Sequence, residues 1–174
     1  MTVALAFPFA GCAEAPLQRS SPATAVSHSP QTSQDGFDCL SLSTLPEKRG
    51  CLAKQDEAFI EDCERMRPMA CKPYRELYFA EKTLQQTQAH LLQSAKLAYS
   101  SYTENDPAYL DDLASNAQAA DAAWLAYREA QCALEPFAQG MSRPESENLT
   151  EACRLSKTRA YIAELEALRA ATGR

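Results

Sequence analysis

The placement of seven cysteines constrains the fold of this 174-residue chain more than any other feature. Six of them lie beyond residue 37 and fall into three pairs that are close in sequence: Cys39 with Cys51, Cys63 with Cys71, and Cys132 with Cys153. An even set of this kind is typical of a disulfide framework, which persists in an oxidising compartment. Sequence order does not prove the pairing, but proximity favours three local loops. We therefore expect an extracytoplasmic domain that local disulfides staple together.

The seventh cysteine, Cys12, ends a short uncharged apolar stretch. The last four residues of that stretch, Phe-Ala-Gly-Cys, resemble the cleavage and lipid-attachment site of bacterial lipoproteins. Residues 1–11 are therefore predicted to be a signal leader, too short to span a bilayer as a helix, with Cys12 as the lipidated residue. The alternative is a plain secretory signal with an incidental cysteine. Residues 12–36 are expected to form a flexible tether, and Ala13 after the cysteine favours the outer membrane in a Gram-negative organism.

The remaining residues, 37–174, suffice for one domain with a core of its own. Glycine is sparse, at five residues, while alanine and leucine are abundant, and this composition favours helices over a turn-rich sheet. The formal net charge of −6 and the absence of a basic patch argue against nucleic acid as a partner. An acidic envelope protein is better suited to a cationic partner, although acidic surfaces also serve solubility alone.

Helical periodicity predicts four helices, over about residues 53–65, 74–102, 106–133 and 142–171. Asp106 followed by proline is a helix-start signal, and so is the capping-box pattern from Ser142 to Glu145. No segment alternates with a period of two over the length of a strand. The expected fold is all-α: a disulfide-stapled bundle of about three long helices preceded by one short helix.

The third predicted helix carries an apolar seam with steps of three and four residues: Leu110, Leu113, Ala117, Ala120, Trp124 and Tyr127. This spacing is that of a helix packed in a left-handed pair or bundle. We expect the two alanines to let a neighbouring helix approach and the two aromatic residues to fill the wide end of the seam. One bundle is expected to use all the apolar stripes of the domain.

The sequence contains no constellation for catalysis or metal binding. The cysteines lack the Cys-x-x-Cys spacing of zinc and redox sites, and the folded part holds one histidine, His90. With the cysteines paired, no nucleophile-base-acid set can be assembled, and neither a phosphate loop nor a dinucleotide fingerprint is present. We therefore expect a binding protein without enzyme activity, cofactor or metal.

Two segments resemble the lysozyme-inhibitor LprI family of bacterial envelope proteins. The opening of the family pattern is matched by Phe37, Asp38, Cys39, Thr44, Glu47 and Cys51. Its denser part is matched by Trp124, Tyr127, Arg128, Cys132, Gly140, Cys153, Thr158, Arg159 and Leu165. The resemblance covers most of residues 37–168, with residues 61–73 as an insertion. It implies a helical fold, the outer two cysteine pairings, and inhibition of lysozyme.

The residues of this signature also have a structural interpretation, which we favour. Arg128 and Arg159 lie one step off the apolar seam, where they can pair with carboxylates or cap helix ends beside Cys132 and Cys153. The same scaffold role is expected for the other signature residues: Trp124, Tyr127, Gly140 and Thr158. Direct contact with a target is the alternative.

The first function hypothesis is an envelope-anchored inhibitor of lysozyme-type peptidoglycan hydrolases, with a cationic hydrolase as partner and the N-terminal lipid as its membrane contact. One candidate for the target-binding surface is a disulfide-held loop, residues 134–148, with Glu135, Glu145 and Glu147. The other is the helix junction with Glu104, Asp106, Asp111 and Asp112. The alternatives are an immunity protein against a secreted peptidoglycan-cleaving toxin, and a structural or adaptor lipoprotein with an exposed apolar seam or self-association.

Overall fold

The computed structural model describes residues 39–172, apart from the side chain of Pro144. The predicted leader, tether and lipidation site at Cys12, and the domain boundary at residue 37, lie outside these residues. Within them the chain is all-helical and has no strand, so the all-α class predicted from the sequence is confirmed. None of the described helices is long and apolar enough to cross a membrane.

Two short helices precede three long ones. They are α1 (Leu45–Leu52), α2 (Glu57–Met66), α3 (Lys72–Ala98), α4 (Tyr109–Ala138) and α5 (Arg143–Ala171). A 3-10 helix, Ser100–Glu104, connects α3 to α4. α5 packs against both α3 and α4 over much of its length, whereas α3 and α4 contact each other less. α1 packs on α3.

The sequence periodicity does not predict α1, and it places the start of α2 four residues too early. α1 begins after Thr44, whose hydroxyl accepts a hydrogen bond from the backbone N–H of Glu47 at 3.4 Å. Thr-x-x-Glu is a readable cap signature, but α1 is too short to show apolar periodicity. α2 begins after Asp56, whose carboxylate accepts from the backbone N–H of Phe59 at 2.8 Å. The domain therefore has two short leading helices where one was expected.

The turn between α4 and α5 is much shorter than the sequence predicts. α4 continues to Ala138 through Pro136, and only residues 139–142 separate it from α5. Gly140 follows the helix end with a φ of 78°, a left-handed conformation that glycine adopts without strain. Backbone bonds from Gly140 N–H to Phe137 O and from Met141 N–H to Pro136 O, both 3.0 Å, complete a Schellman motif. The disulfide-held loop predicted over residues 134–148 is therefore wrong, because residues 134–138 and 143–148 are helical.

The six cysteines of the domain form three disulfides, between the pairs that proximity favours. The Cα–Cα distances are 5.5 Å for Cys39–Cys51, 6.1 Å for Cys63–Cys71 and 5.5 Å for Cys132–Cys153. The last bond joins α4 to α5, and the middle one joins α2 to the residue preceding α3. Three such bonds indicate a non-reducing compartment.

The best-packed core lies at the end of the domain that holds α1, α2 and the α4–α5 turn, which we name the stapled end. Its buried residues are Cys39, Leu52, Ile60, Cys63, Cys71 and Tyr74, with Leu77, Ala80 and Leu155 forming a second cluster. The opposite end holds the 3-10 helix and the last turn of α5, and we name it the distal end. Since α3 alone is about 40 Å long, the two ends are well separated.

Candidate functional site

At the stapled end, two of the three candidate glutamates of the predicted loop accept hydrogen bonds within the molecule, and the third is half-buried. Glu145 completes a capping box, because its carboxylate accepts from Ser142 Oγ at 2.6 Å and from the Ser142 backbone N–H at 3.2 Å. Glu147 accepts from Lys48 Nζ at 2.7 Å. Glu135 lies within α4, half-buried, with its carboxylate 3.5 Å from Cys153 Sγ. This region therefore offers a capped helix turn in place of the predicted acidic loop.

At the distal end, the four candidate carboxylates are exposed. They are Glu104 on the 3-10 helix, Asp106 after it, and Asp111 and Asp112 in the first turn of α4. No Lys or Arg in residues 39–172 forms an ion pair with any of them. Asp106 accepts from the backbone N–H of Ala108 at 3.2 Å, so it caps the turn before α4, which begins at Tyr109 rather than at Asp106.

Three tyrosines pack together beside these carboxylates. The ring centroids are 5.5 Å apart for Tyr99 and Tyr102, 5.0 Å for Tyr102 and Tyr109, and 6.4 Å for Tyr99 and Tyr109. Tyr102 is 51% exposed. Tyrosine supplies a large, rigid contact area with a polar group, which makes it common in protein interfaces. We name the four carboxylates and Tyr102 the distal tip.

Toward the stapled end, six charged side chains form a closed ring in which Arg and Glu alternate. In order they are Arg49, Glu151, Arg154, Glu129, Arg128 and Glu81, which returns to Arg49. They come from α1, α3, α4 and α5, so the ring connects four helices. The charges within the ring balance, and a buried charge is tolerated only when it is paired and hydrogen-bonded in this way.

Glu151 is the most deeply buried member of the ring, with 0% of its surface exposed. Its carboxylate accepts from Arg49 Nε at 2.7 Å and from Arg49 Nη2 at 2.9 Å, a bidentate pair, and also from Arg154 Nη1. Arg49 Nη1 reaches across to Glu81 at 3.2 Å. Glu151 therefore joins the first helix of the domain to the last.

Arg128 is the second buried member of the ring, at 4% exposure. It donates to Thr158 Oγ1 at 2.8 Å, to Glu81 Oε1 at 3.0 Å and to Glu129 Oε1 at 3.0 Å. Thr158 is fully buried and donates in turn to the backbone carbonyl of Arg154 at 2.7 Å. Two residues of the sequence signature, Arg128 and Thr158, thus lie buried between α3, α4 and α5.

The other signature residues differ in their surroundings. Trp124 stacks on Tyr161, with centroids 4.2 Å apart and planes 11° apart. Tyr127 is 57% exposed, so the prediction that it fills the seam is wrong. Arg128 takes the inward position instead. In an α-helix, the side chain four residues after Trp124 points closer to the direction of Trp124 than the side chain three residues after it does. Arg159 is exposed and pairs with Glu76 at 2.9 Å.

The expectation that one bundle uses all the apolar stripes is also wrong at the distal end. There Leu113, Ala117 and Ala120 of α4 line an open cleft of about 500 Å³ in place of a helix contact. α3 and α4 make few contacts with each other, whereas α5 packs against both. No group of His, Cys, Asp and Glu arranged to hold a metal occurs in residues 39–172.

Three carboxylates, Glu129, Glu145 and Glu147, have a pKa below the ordinary value of 4.5, so acid is expected to destabilise the fold. Burial opposes ionisation of Glu129, but hydrogen bonds and charges from Arg128 and Arg154 outweigh it and lower its pKa. The hydrogen bond from Lys48 lowers the pKa of Glu147. A lowered folded-state pKa contributes stability that is present above the unfolded value and lost as the pH falls through the folded one. We expect the free energy of unfolding, measured with urea, to fall as the pH drops below about 4.5.

The variant Glu129→Gln is expected to make the free energy of unfolding fall less steeply as the pH decreases. The control variant Glu61→Gln, which changes an exposed residue of α2, leaves this pH dependence unchanged. A free energy of unfolding that stays constant down to about pH 3 contradicts the lowered pKa of these carboxylates.

Sequence reasoning identified Arg128 as a pairing residue but missed the other five members of the ring. The i,i+3 spacing of Glu151 and Arg154 was a readable signal for one of its pairs. The Arg49–Glu151 pair joins residues 102 positions apart and the Arg128–Glu81 pair joins residues 47 positions apart, so no local sequence pattern reveals them.

Comparison with protein-family models, with curated proteins and with solved structures gives no match for this chain.

Proposed function

We propose that this protein is a proteinaceous inhibitor of lysozyme-type peptidoglycan hydrolases, anchored in the cell envelope by a lipid on Cys12 and related to the LprI family that its sequence resembles. The observation that carries the proposal is the distal tip. Its four carboxylates are exposed and without cationic partners among the described residues, and they lie close in sequence to an exposed tyrosine, Tyr102. Lysozyme-type hydrolases are cationic, so such a surface is complementary to them.

The charge of the whole distal half supports the same partner. Residues 88–121 and 160–172 contain seven carboxylates, but only two basic residues, Lys96 and Arg169, besides His90. A field of one sign steers a partner of opposite sign and speeds encounter, and salt weakens this effect. The basic residues of the ring are neutralised by their own glutamates, so they do not offset the field at the tip.

The rigidity of the domain supports inhibition rather than loose association. A tip carried on two long helices, which the Cys132–Cys153 bond and the charged ring hold in place, loses little conformational entropy on binding. The signature residues Arg128 and Thr158 lie far from the tip, within this supporting structure.

The proposal is tested by measuring inhibition of a panel of lysozymes, bacterial peptidoglycan hydrolases and secreted peptidoglycan-cleaving toxins by the oxidised protein, at low and high salt. Inhibition of at least one enzyme, weaker at high salt, supports the proposal. If a toxin of the panel is the only enzyme inhibited, the immunity-protein alternative replaces a general inhibitor. Absence of inhibition and binding across the panel overturns the proposal.

The double variant Asp111→Asn with Asp112→Asn is expected to slow association with the inhibited enzyme by about tenfold at low salt, because two steering charges are removed. The matched control is Glu61→Gln with Asp62→Asn on α2, which changes the net charge equally at the stapled end. Association rates are measured by stopped-flow fluorescence. Equal slowing in both variants assigns the effect to net charge and removes the tip from the binding surface.

A specific observation also favours the adaptor hypothesis as a second candidate. The open cleft of about 500 Å³ beside α4 exposes apolar side chains that a closed bundle would bury. An adaptor uses such a surface for a partner and has no need of a hydrolase, so binding without inhibition in the assay above would favour it.

A further inference from the structure

The distal half of the domain contains an apolar groove with α3 and α4 as its walls and α5 as its floor. Apolar residues of all three helices line it, among them Leu92, Ala95, Leu113, Ala117, Leu165 and Leu168. Ala95 and Leu165 are buried at its base, while Leu92 and Leu113 are half-buried along its sides. The groove is therefore a continuation of the core that no described segment covers.

The groove extends beyond this first cleft toward the charged ring. A second cleft of about 520 Å³ lies between α3 and α4, shares Gln88 and Asp121 with the first, and reaches Arg128. Along α4 the combined groove runs from Leu113 to Arg128, which is about 23 Å at the rise of an α-helix. That length accommodates about four turns of helix, so one further helix in the groove would complete a four-helix arrangement.

The charge around the groove selects the kind of helix that fits. Its polar lining includes the carboxylates of Asp121 and Glu164. The first cleft has no Lys or Arg in its lining, and Arg128 of the second is already paired within the ring. An apolar floor with an acidic rim complements a helix that is apolar on one face and basic on its flanks, and it repels an anionic lipid headgroup.

We propose that this groove binds one cationic amphipathic helix of about 15 residues, with its apolar face on α5 in the first cleft and on Leu84, Trp124 and Leu125 in the second, and its basic flanks toward the acidic rim. This activity is independent of the proposed inhibition of hydrolases, which uses the distal tip. It would allow an envelope protein to capture basic, membrane-active peptides before they reach a bilayer.

The test uses the oxidised full chain and a fluorescein-labelled synthetic 15-residue peptide of leucine and lysine, with its leucines at helical i, i+3, i+4 and i+7 spacing. Binding is followed by fluorescence anisotropy at low and high salt. The expected result is saturation at one peptide per chain. A scrambled peptide of the same composition, and a counterpart with glutamate in place of lysine, should each bind at least about tenfold more weakly.

Two variants locate the peptide in the groove. Ala117→Trp fills the groove from α4 and is expected to weaken binding about tenfold, whereas Ala119→Trp, on an exposed position of the same helix outside the groove, leaves it unchanged. Asp121→Asn with Glu164→Gln keeps the apolar floor and is expected to weaken binding at low salt only. Circular dichroism checks that each variant is folded.

Several results would overturn the proposal. Equal binding of the scrambled peptide shows attraction to charge alone, and equal binding by Ala117→Trp places the peptide elsewhere. If the wild type without peptide sediments as a dimer and the Ala117→Trp variant sediments as a monomer, the groove binds a second copy of the chain. One-for-one displacement of the peptide by a fluorescent fatty acid assigns it to a lipid chain. Because these variants leave the tip carboxylates in place, hydrolase inhibition can survive any of these outcomes.

Discussion

Glu151→Gln is expected to lower the free energy of unfolding by about 3 to 5 kcal/mol, because it leaves two half-buried arginines, Arg49 and Arg154, short of a charged partner. The glutamate has no exposed surface and accepts hydrogen bonds from both Arg49 and Arg154. The amide keeps the shape of the side chain but replaces one acceptor oxygen with a donor that faces a guanidinium. Urea unfolding at neutral pH, followed through the fluorescence of the single tryptophan, Trp124, measures the change.

Glu76→Gln is the matched control for this experiment. Glu76 also contacts two basic side chains, Lys72 and Arg159, but both are 59% exposed. Surface pairs of this kind contribute less than about 1 kcal/mol, so the control variant should unfold close to the wild type. Equal losses in the two variants would mean that the buried ring stabilises the fold no more than surface pairs do.

Removal of the Cys132–Cys153 bond, by replacing both cysteines with alanine, is expected to cost about 3 kcal/mol. The bond closes a loop between residues 21 positions apart, and without it the unfolded chain regains the entropy of that loop. Urea unfolding under oxidising conditions measures the loss, and circular dichroism checks that the helices remain.

The reduced wild type supplies the comparison, since it lacks all three disulfides and should lose more stability than the double variant. If the double variant unfolds at the same urea concentration as the oxidised wild type, the ring alone holds α4 against α5. If the reduced wild type matches the double variant, the other two disulfides contribute nothing to stability.

The parts of the fold that depend on local pattern could be predicted from the sequence. The helical class follows from composition and from apolar steps of three and four residues, and the capping box at Ser142 locates the start of α5 to within one residue. Proximity along the chain favours the three disulfides that the structure contains.

The parts that depend on distant contacts could not be predicted. Arg128 was expected to find a carboxylate, but Glu81 and Thr158 come from other helices, 47 and 30 positions away. Tyr127 has the right spacing for the core, yet it is exposed, whereas Arg128 beside it is buried against partners on α3 and α5. Of the two acidic regions, only the structure reveals that Glu145 and Glu147 already serve as internal acceptors whereas the distal carboxylates remain exposed.

The order of the disulfides along the chain bears on how the protein matures after export. Each bond joins a cysteine to the next one in the sequence, from Cys39 onward. Oxidation of thiols in the order in which they emerge therefore produces the native set directly, without slow exchange of mispaired bonds. A free thiol at Cys12 would shift that order by one and pair every later cysteine with the wrong neighbour. Lipid attachment to Cys12, as its surroundings in the sequence predict, would remove that thiol from the series before pairing begins.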